Sequence, residues 1–145
     1  MSLANILIPR DEVMFRGESL SFRGLSLNDF STLMRGHMAE LSKLFDMYDN
    51  VETRETAISQ SANFAIKIVQ EAPGMVAQLI VLASDSPQEH IEHAEKFPLP
   101  LQVECVRCII NLTFEEAGGA KKFLDSLMQM VTSLRPKAAS EGLST

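Results

Sequence analysis

The chain has 145 residues, 13 Lys plus Arg against 19 Asp plus Glu for a net charge of −6, 46% hydrophobic residues, two Cys and no Trp. That length suits one compact domain of roughly 100–150 residues, which needs no disulfide or metal staple, and the acidic balance without a basic run argues against nucleic acid as a partner. The longest apolar run, 75–83, falls well short of the roughly 20 residues of a membrane span, and Met1–Pro9 lacks the basic and apolar regions of a secretory signal, so the expectation is a soluble intracellular protein.

Taken in chain order, residues 1–25 stand apart. Val13-Met14-Phe15 and Leu20-Ser21-Phe22 are short β-forming runs split by Arg16-Gly17-Glu18-Ser19, where Gly17 supplies the positive φ of a tight turn. They predict a two-stranded hairpin. Ser26 is a good helix N-cap with Asp29 three residues on, and Leu27, Phe30, Met34, Met38, Leu41, Phe45 and Tyr48 recur at helical spacing behind it. Gly36 is a point at which that helix can soften or divide. A second helix is expected over about 52–71, with Ile58, Ala62, Ala65, Ile66 and Val69 on one face and Pro73-Gly74 ending it.

Residues 75–84 form a short, nearly all-apolar segment that reads as a deeply buried helix. Ser86-Pro87 then predicts a new start, with Ser as cap and Pro in the first helical position. The polar turns of 88–96 belong on the surface, and Pro98 with Pro100 makes a break. From Leu101 to Phe114 two apolar stripes run side by side, Leu101, Cys105, Cys108, Ile109 and Leu112 beside Val103, Val106, Ile110 and Phe114, as in a helix at the centre of its domain. Gly118-Gly119 ends it.

The last helix, 121–134, also carries two stripes: Phe123, Leu127, Met130 and Leu134, and Leu124, Met128 and Val131. A terminal helix can hide one such face in its own domain, leaving the other for a partner. The expected fold is all-α, a compact bundle of about five to six helices with a small N-terminal β-hairpin. Its parts are a hairpin extension (1–25), a helical domain (26–134) and a flexible C-terminal tail (135–145).

Chemistry is sparse. His90, His93, Cys105 and Cys108 offer four zinc-ligand types, but the cysteines fall in an apolar stripe, where free Cys behaves as a small hydrophobe. Core thiols and surface imidazoles are the preferred reading, with no metal and no cofactor. Glu89, Glu92 and Glu95 lack the Glu-x-x-His pairing of a di-iron bundle. No nucleophile elbow occurs, and Gly118-Gly119-Ala120-Lys121 lacks the spacer and hydroxyl of a phosphate loop. The expectation is a protein that is not an enzyme. Eight Met and eight Phe beside one Tyr give it soft apolar side chains, among them Met34, Met38, Met128 and Met130, suited to core gaps and to adaptable binding faces.

Two blocks carry a family resemblance. Phe22-Arg23-Gly24-Leu25-Ser26-Leu27-Asn28-Asp29-Phe30, entering a long helix after a hairpin, resembles the start of the tail assembly chaperones of long-tailed bacteriophages, also called pre-tape-measure proteins. Pro98-Leu99-Pro100-Leu101-Gln102-Val103 and Leu112-Thr113-Phe114-Glu115-Glu116-Ala117-Gly118-Gly119-Ala120-Lys121-Lys122-Phe123-Leu124 point the same way. The resemblance covers roughly residues 11–134. It implies a non-enzymatic assembly factor in the host cytoplasm, absent from the mature virion, that binds the tape measure protein and helps the major tail tube protein polymerise around it. Helix-in-groove binding, with self-association as a further contact, is the mode expected, and Phe123, Leu127, Met130 and Leu134 are the expected partner-binding residues. The alternatives are a helical adaptor or dimerisation module unrelated to phage and a small zinc-binding protein.

Overall fold

A computed structural model describes residues 3–48 and 61–116 and, beyond them, Gly118, Gly119, Lys121, Lys122, Asp125, Ser126, Gln129 and Ser133. A 3-10 turn, Leu3–Asn5, precedes strands β1 (Arg10–Phe15) and β2 (Glu18–Arg23). The helices follow: α1 (Leu27–Tyr48), α2 (Ser61–Glu71), α3 (Pro73–Ala83), α4 (Ile91–Glu95, after a 3-10 turn at Gln88–His90) and α5 (Leu99–Glu116). The fold is mostly helical with one antiparallel hairpin in front, as the patterning predicts.

The hairpin turn is tighter than the sequence suggests. Phe15 pairs with Glu18, so only Arg16 and Gly17 make the turn, both at positive φ (51° and 82°), the sign pattern of the hairpin turn that matches strand twist. Val13 then pairs with Leu20 and Asp11 with Phe22, so Val13, Phe15, Leu20 and Phe22 share one face. That face lies on α5, and Phe22 is completely buried. A lone hairpin is marginal in water; this one is held by a helix.

Helix α1 begins with a reciprocal cap. The Ser26 backbone N–H donates to Asp29 Oδ2 at 2.8 Å, and Ser26 Oγ accepts from the Asp29 N–H at 3.2 Å, satisfying donors that a helix start leaves open. Just after Gly36, His37 departs from helical geometry (φ −140°, ψ 34°), so the helix kinks where the sequence marks a division. Its core face differs from the predicted stripe. Leu33 and Leu41 are buried with Phe30, Met34 and Leu44 beside them, whereas Leu27 and Met38 are exposed. The kink re-aims the second half, so one stripe cannot run unbroken through it.

Only 61–71 of the second predicted helix is described, and its buried face is Phe64, Ala65, Ile68 and Val69; Ala62 and Ile66 face solvent. That face is set by α5, against which α2 packs. Pro73-Gly74 opens α3 instead of merely ending α2, because Pro at a first helical position has no bond to lose. Seven of its apolar side chains are buried, together with Gln78. Ser86 does not cap the next segment. Its hydroxyl meets Ser84 Oγ at 2.7 Å, and Pro87 stays extended (ψ 147°) outside the helix. Nor does Pro100 break the chain: it sits in the first turn of α5, where the Gln102 N–H already bonds to the Pro98 carbonyl.

Helix α5 is the centre, as its double stripe predicts. Cys105, Val106 and Ile109 are at most 1% exposed, with Leu101, Cys108, Ile110, Leu112 and Phe114 also buried. It packs against both strands, α2 and α3. Gly118 and Gly119, at positive φ, close it by returning N–H bonds to the Glu115 and Phe114 carbonyls, a C-terminal arrangement that favours glycine. The tail 135–145 lies outside the described residues.

Candidate partner-binding surface

The strongest electrostatic cluster joins the hairpin to the helices. Arg23, last in β2, donates from Nη1 to Asp29 Oδ2 at 2.7 Å and from Nη2 to Asp85 Oδ1 at 2.9 Å and to the Leu82 carbonyl at 3.0 Å. Arg10 adds Nη1 to Asp85 Oδ2 at 2.9 Å. The hydrogen bonds to Asp29 and Asp85 raise the Arg23 pKa, and the one from Arg23 holds the Asp85 carboxyl below the usual aspartate range. Asp85 is locally disfavoured twice. It takes the positive-φ position (57°) that ends α3, where glycine is the usual choice, and it places negative charge at the negative end of a helix dipole. Two arginines make it a tertiary clamp. All four groups are matched charge for charge, which is the arrangement of a structural lock.

The four side chains of the zinc alternative are not brought together. His90 and His93 are exposed, their rings meeting edge to face at 5.7 Å, while Cys105 and Cys108 are buried within α5. Burial, with Cys108 and Glu104 adding to it, pushes the Cys105 thiol up to about 12, and burial also raises Cys108. Metals and electrophiles take the thiolate, which these surroundings suppress. Among the described residues, no three His, Cys, Asp or Glu side chains cluster so that they could hold a metal ion.

The expected partner-binding residues Phe123, Leu127, Met130 and Leu134 lie outside the described residues. Their helical neighbours Lys121, Lys122, Ser126, Gln129 and Ser133 are exposed, and Lys121 reaches Asp125 at 2.8 Å. Gly118, Lys122, Asp125 and Gln129 border an open hollow of about 610 Å³.

Large apolar side chains do remain on the described surface. Leu27, Met38, Ile66 and Leu99 are exposed on helices, and Met14 is exposed on β1. Ahead of β1, Leu3 and Leu7 are each 88% exposed, with Ile6 and Ile8 beside them. Helical and strand periodicity leaves this N-terminal arm unassigned. Its signal was there to find: three consecutive apolar residues before Pro9 that no helical or strand period absorbs.

A comparison with family models matches the pre-tape-measure protein model over residues 1–144. The chain belongs to the pre-tape-measure protein family. Membership assigns this family member a bacteriophage tail-related role. Curated proteins and solved structures give no match. No described helix of this family member is long and apolar enough to cross a membrane.

Proposed function

We propose that this chain is a non-enzymatic tail assembly chaperone, which binds the tape measure protein through apolar helix faces and promotes assembly of the tail tube protein around it. The observation carrying this reading is the family match along nearly the whole chain. The surface supports it. Large, soft apolar side chains stand on helices of an acidic chain of net charge −6, so a complex keeps a charged exterior while its contacts adapt to imperfectly matching apolar helices.

Binding fits the chemistry better than turnover, because the two thiols are buried and held protonated. The working place is the host cytoplasm, with the chaperone left out of the mature virion. Phe123, Leu127, Met130 and Leu134 are the contacts proposed for the tape measure helices, read as anchors at three- and four-residue spacing.

Co-expression with the tape measure protein, followed by pull-down and a solubility assay, tests this. The tape measure protein is expected to stay soluble only with this chain, and Leu127→Asp or Met130→Asp to abolish that effect. A tape measure protein that aggregates equally with and without the chain overturns the reading.

A further inference from the structure

We propose that the free edge of β1 pairs antiparallel with β1 of a second copy of this chain, joining two hairpins into one four-stranded sheet about a two-fold axis at Asp11. This inference does not depend on the chaperone reading.

The argument starts from the turn. Phe15 and Glu18 close a two-residue hairpin, so their backbone groups face each other across the ladder. Strand alternation then turns the N–H and C=O of Val13 and Asp11 toward β2, and those of Met14, Glu12 and Arg10 away from it. No described strand lies on that outer side, since the described residues form a sheet of two strands. An uncovered strand edge is a template for another chain. Arg10, Asp11, Glu12 and Met14 are all exposed. The Glu12 N–H is engaged only locally, by Asp11 Oδ1 at 2.8 Å.

One register uses every exposed feature here. With Asp11 opposite Asp11 of the second copy, Arg10 faces the second copy's Glu12, and Met14 faces its Ile8, each pair occurring twice. Opposite charges and apolar side chains placed directly across strands are stabilising. Arg10 donates to Ser21 Oγ, the Ser21 carbonyl and Asp85, and its five N–H donors leave some for Glu12. Leu7 comes opposite Phe15, so the exposed arm gains a place to lie. Pro9 falls opposite Val13, a position that makes no hydrogen bond across the new ladder, where a residue without an N–H is tolerated. The Asp11 carboxylates meet as like charges, but each lies within electrostatic reach of Arg107 in its own chain. Shifting the axis by one residue would set Glu12 against Glu12 or Arg10 against Arg10, so charge selects the register.

The test is sedimentation equilibrium of the full chain over a concentration series, with two variants. A mass approaching that of two chains is expected, and Glu12→Pro is expected to return it to one chain. That substitution removes an outward N–H and leaves the β1–β2 ladder intact, which circular dichroism checks. Asp11→Cys is expected to form a disulfide-linked dimer on mild oxidation, because a non-hydrogen-bonded pair sets its Cα atoms about 4.5 Å apart, within disulfide range. Ser19→Cys, on β2, is expected to stay uncrosslinked. A chain that remains monomeric at all concentrations overturns the proposal. So does a dimer that survives Glu12→Pro and fails to crosslink through Asp11→Cys.

Discussion

Arg23 and Asp85 lie 62 residues apart in the chain, yet Arg23 Nη2 meets Asp85 Oδ1 at 2.9 Å and Nε approaches both carboxylate oxygens at 3.1 Å. The same guanidinium neutralises Asp29, which is only 3% exposed. One side chain thus ties the hairpin to the start of α1 and the end of α3. Replacing Arg23 by Met keeps its bulk but strands the Asp29 carboxylate. Arg23→Met is expected to lower unfolding stability by about 3 kcal/mol, the usual cost of leaving a buried charge unpaired. Urea denaturation checks this, and a midpoint within error of the parent would show that the cluster is ornamental to stability.

The acid limb of stability follows from the same contact. Asp85 has its pKa lowered by the Arg23 hydrogen bond, with Arg10 contributing, and Glu104 is lowered by Arg107. A carboxyl depressed on folding adds stability above its unfolded pKa of about 4, and that contribution disappears as pH falls through the folded value. Asp85 is half exposed, so the effect is expected to be under about 1 kcal/mol. Urea midpoints of the parent and Asp85→Asn, measured from pH 7 downward, are expected to differ at neutral pH and converge below pH 4. Parallel curves would contradict the assignment.

Two glycines are expected to respond oppositely to alanine. A Cβ on Gly24 would lie 3.1 Å from Thr113 Cα and 3.2 Å from the Leu112 carbonyl, and neither is a flexible side-chain end. Gly24→Ala pushes the hairpin off α5, weakens the Leu25 N–H to Thr113 Oγ1 bond of 2.9 Å, and is expected to cost about 1–3 kcal/mol. A Cβ on Gly36 meets nothing within 4 Å, so Gly36→Ala is expected to be neutral or to stabilise by up to about 1 kcal/mol. Thermal melts of the two variants decide it.

Gln78 sits buried in α3 with its Nε2 lacking a hydrogen-bond partner among the described residues. A buried amide nitrogen left unpaired costs about 1–3 kcal/mol. Gln78→Met fills the same volume without that penalty and is expected to raise the melting temperature. A decrease would mean that the amide is satisfied in solution.

The thiols give a kinetic prediction. With Cys105 completely buried and pushed up to about 12, native protein at pH 8 is expected to react with a thiol reagent such as dithionitrobenzoate only at the rate of opening or unfolding. Full reactivity should appear in denaturant. Rapid modification of the native chain would place the cysteines at a functional surface after all.

Much of the fold was legible residue by residue. Gly17 between β-forming runs specifies a turn, Ser26 with Asp29 specifies a cap, and the double stripe of Leu101–Phe114 marks the central helix, because each signal acts within a few residues of itself. Other positions misled for a definite reason. Ile66 has the right spacing for a core face, yet it is exposed while Phe64, Ala65, Ile68 and Val69 are buried on a helix that packs against α5. Pro73 and Pro100 read as breaks, but proline in a first turn removes no helical bond. For the proposed contacts, the sequence supplied a candidate helix face, whereas the exposed arm Leu3–Ile8 belongs to no period that would single it out.

The sequence by itself determined the kind of protein this is: an acidic, mostly helical chain with a leading hairpin and the capping and packing blocks of the pre-tape-measure family. Local propensity, periodicity and capping are short-range, and a reader of the chain can sum them. Only the tertiary structure decided that Asp85 holds two arginines, that Gly24 must be small because α5 passes beneath it, and that no described strand pairs with the outer edge of β1. Those outcomes depend on which distant surfaces come into contact, and contact energies between residues 60 to 90 positions apart leave no periodic trace in the chain.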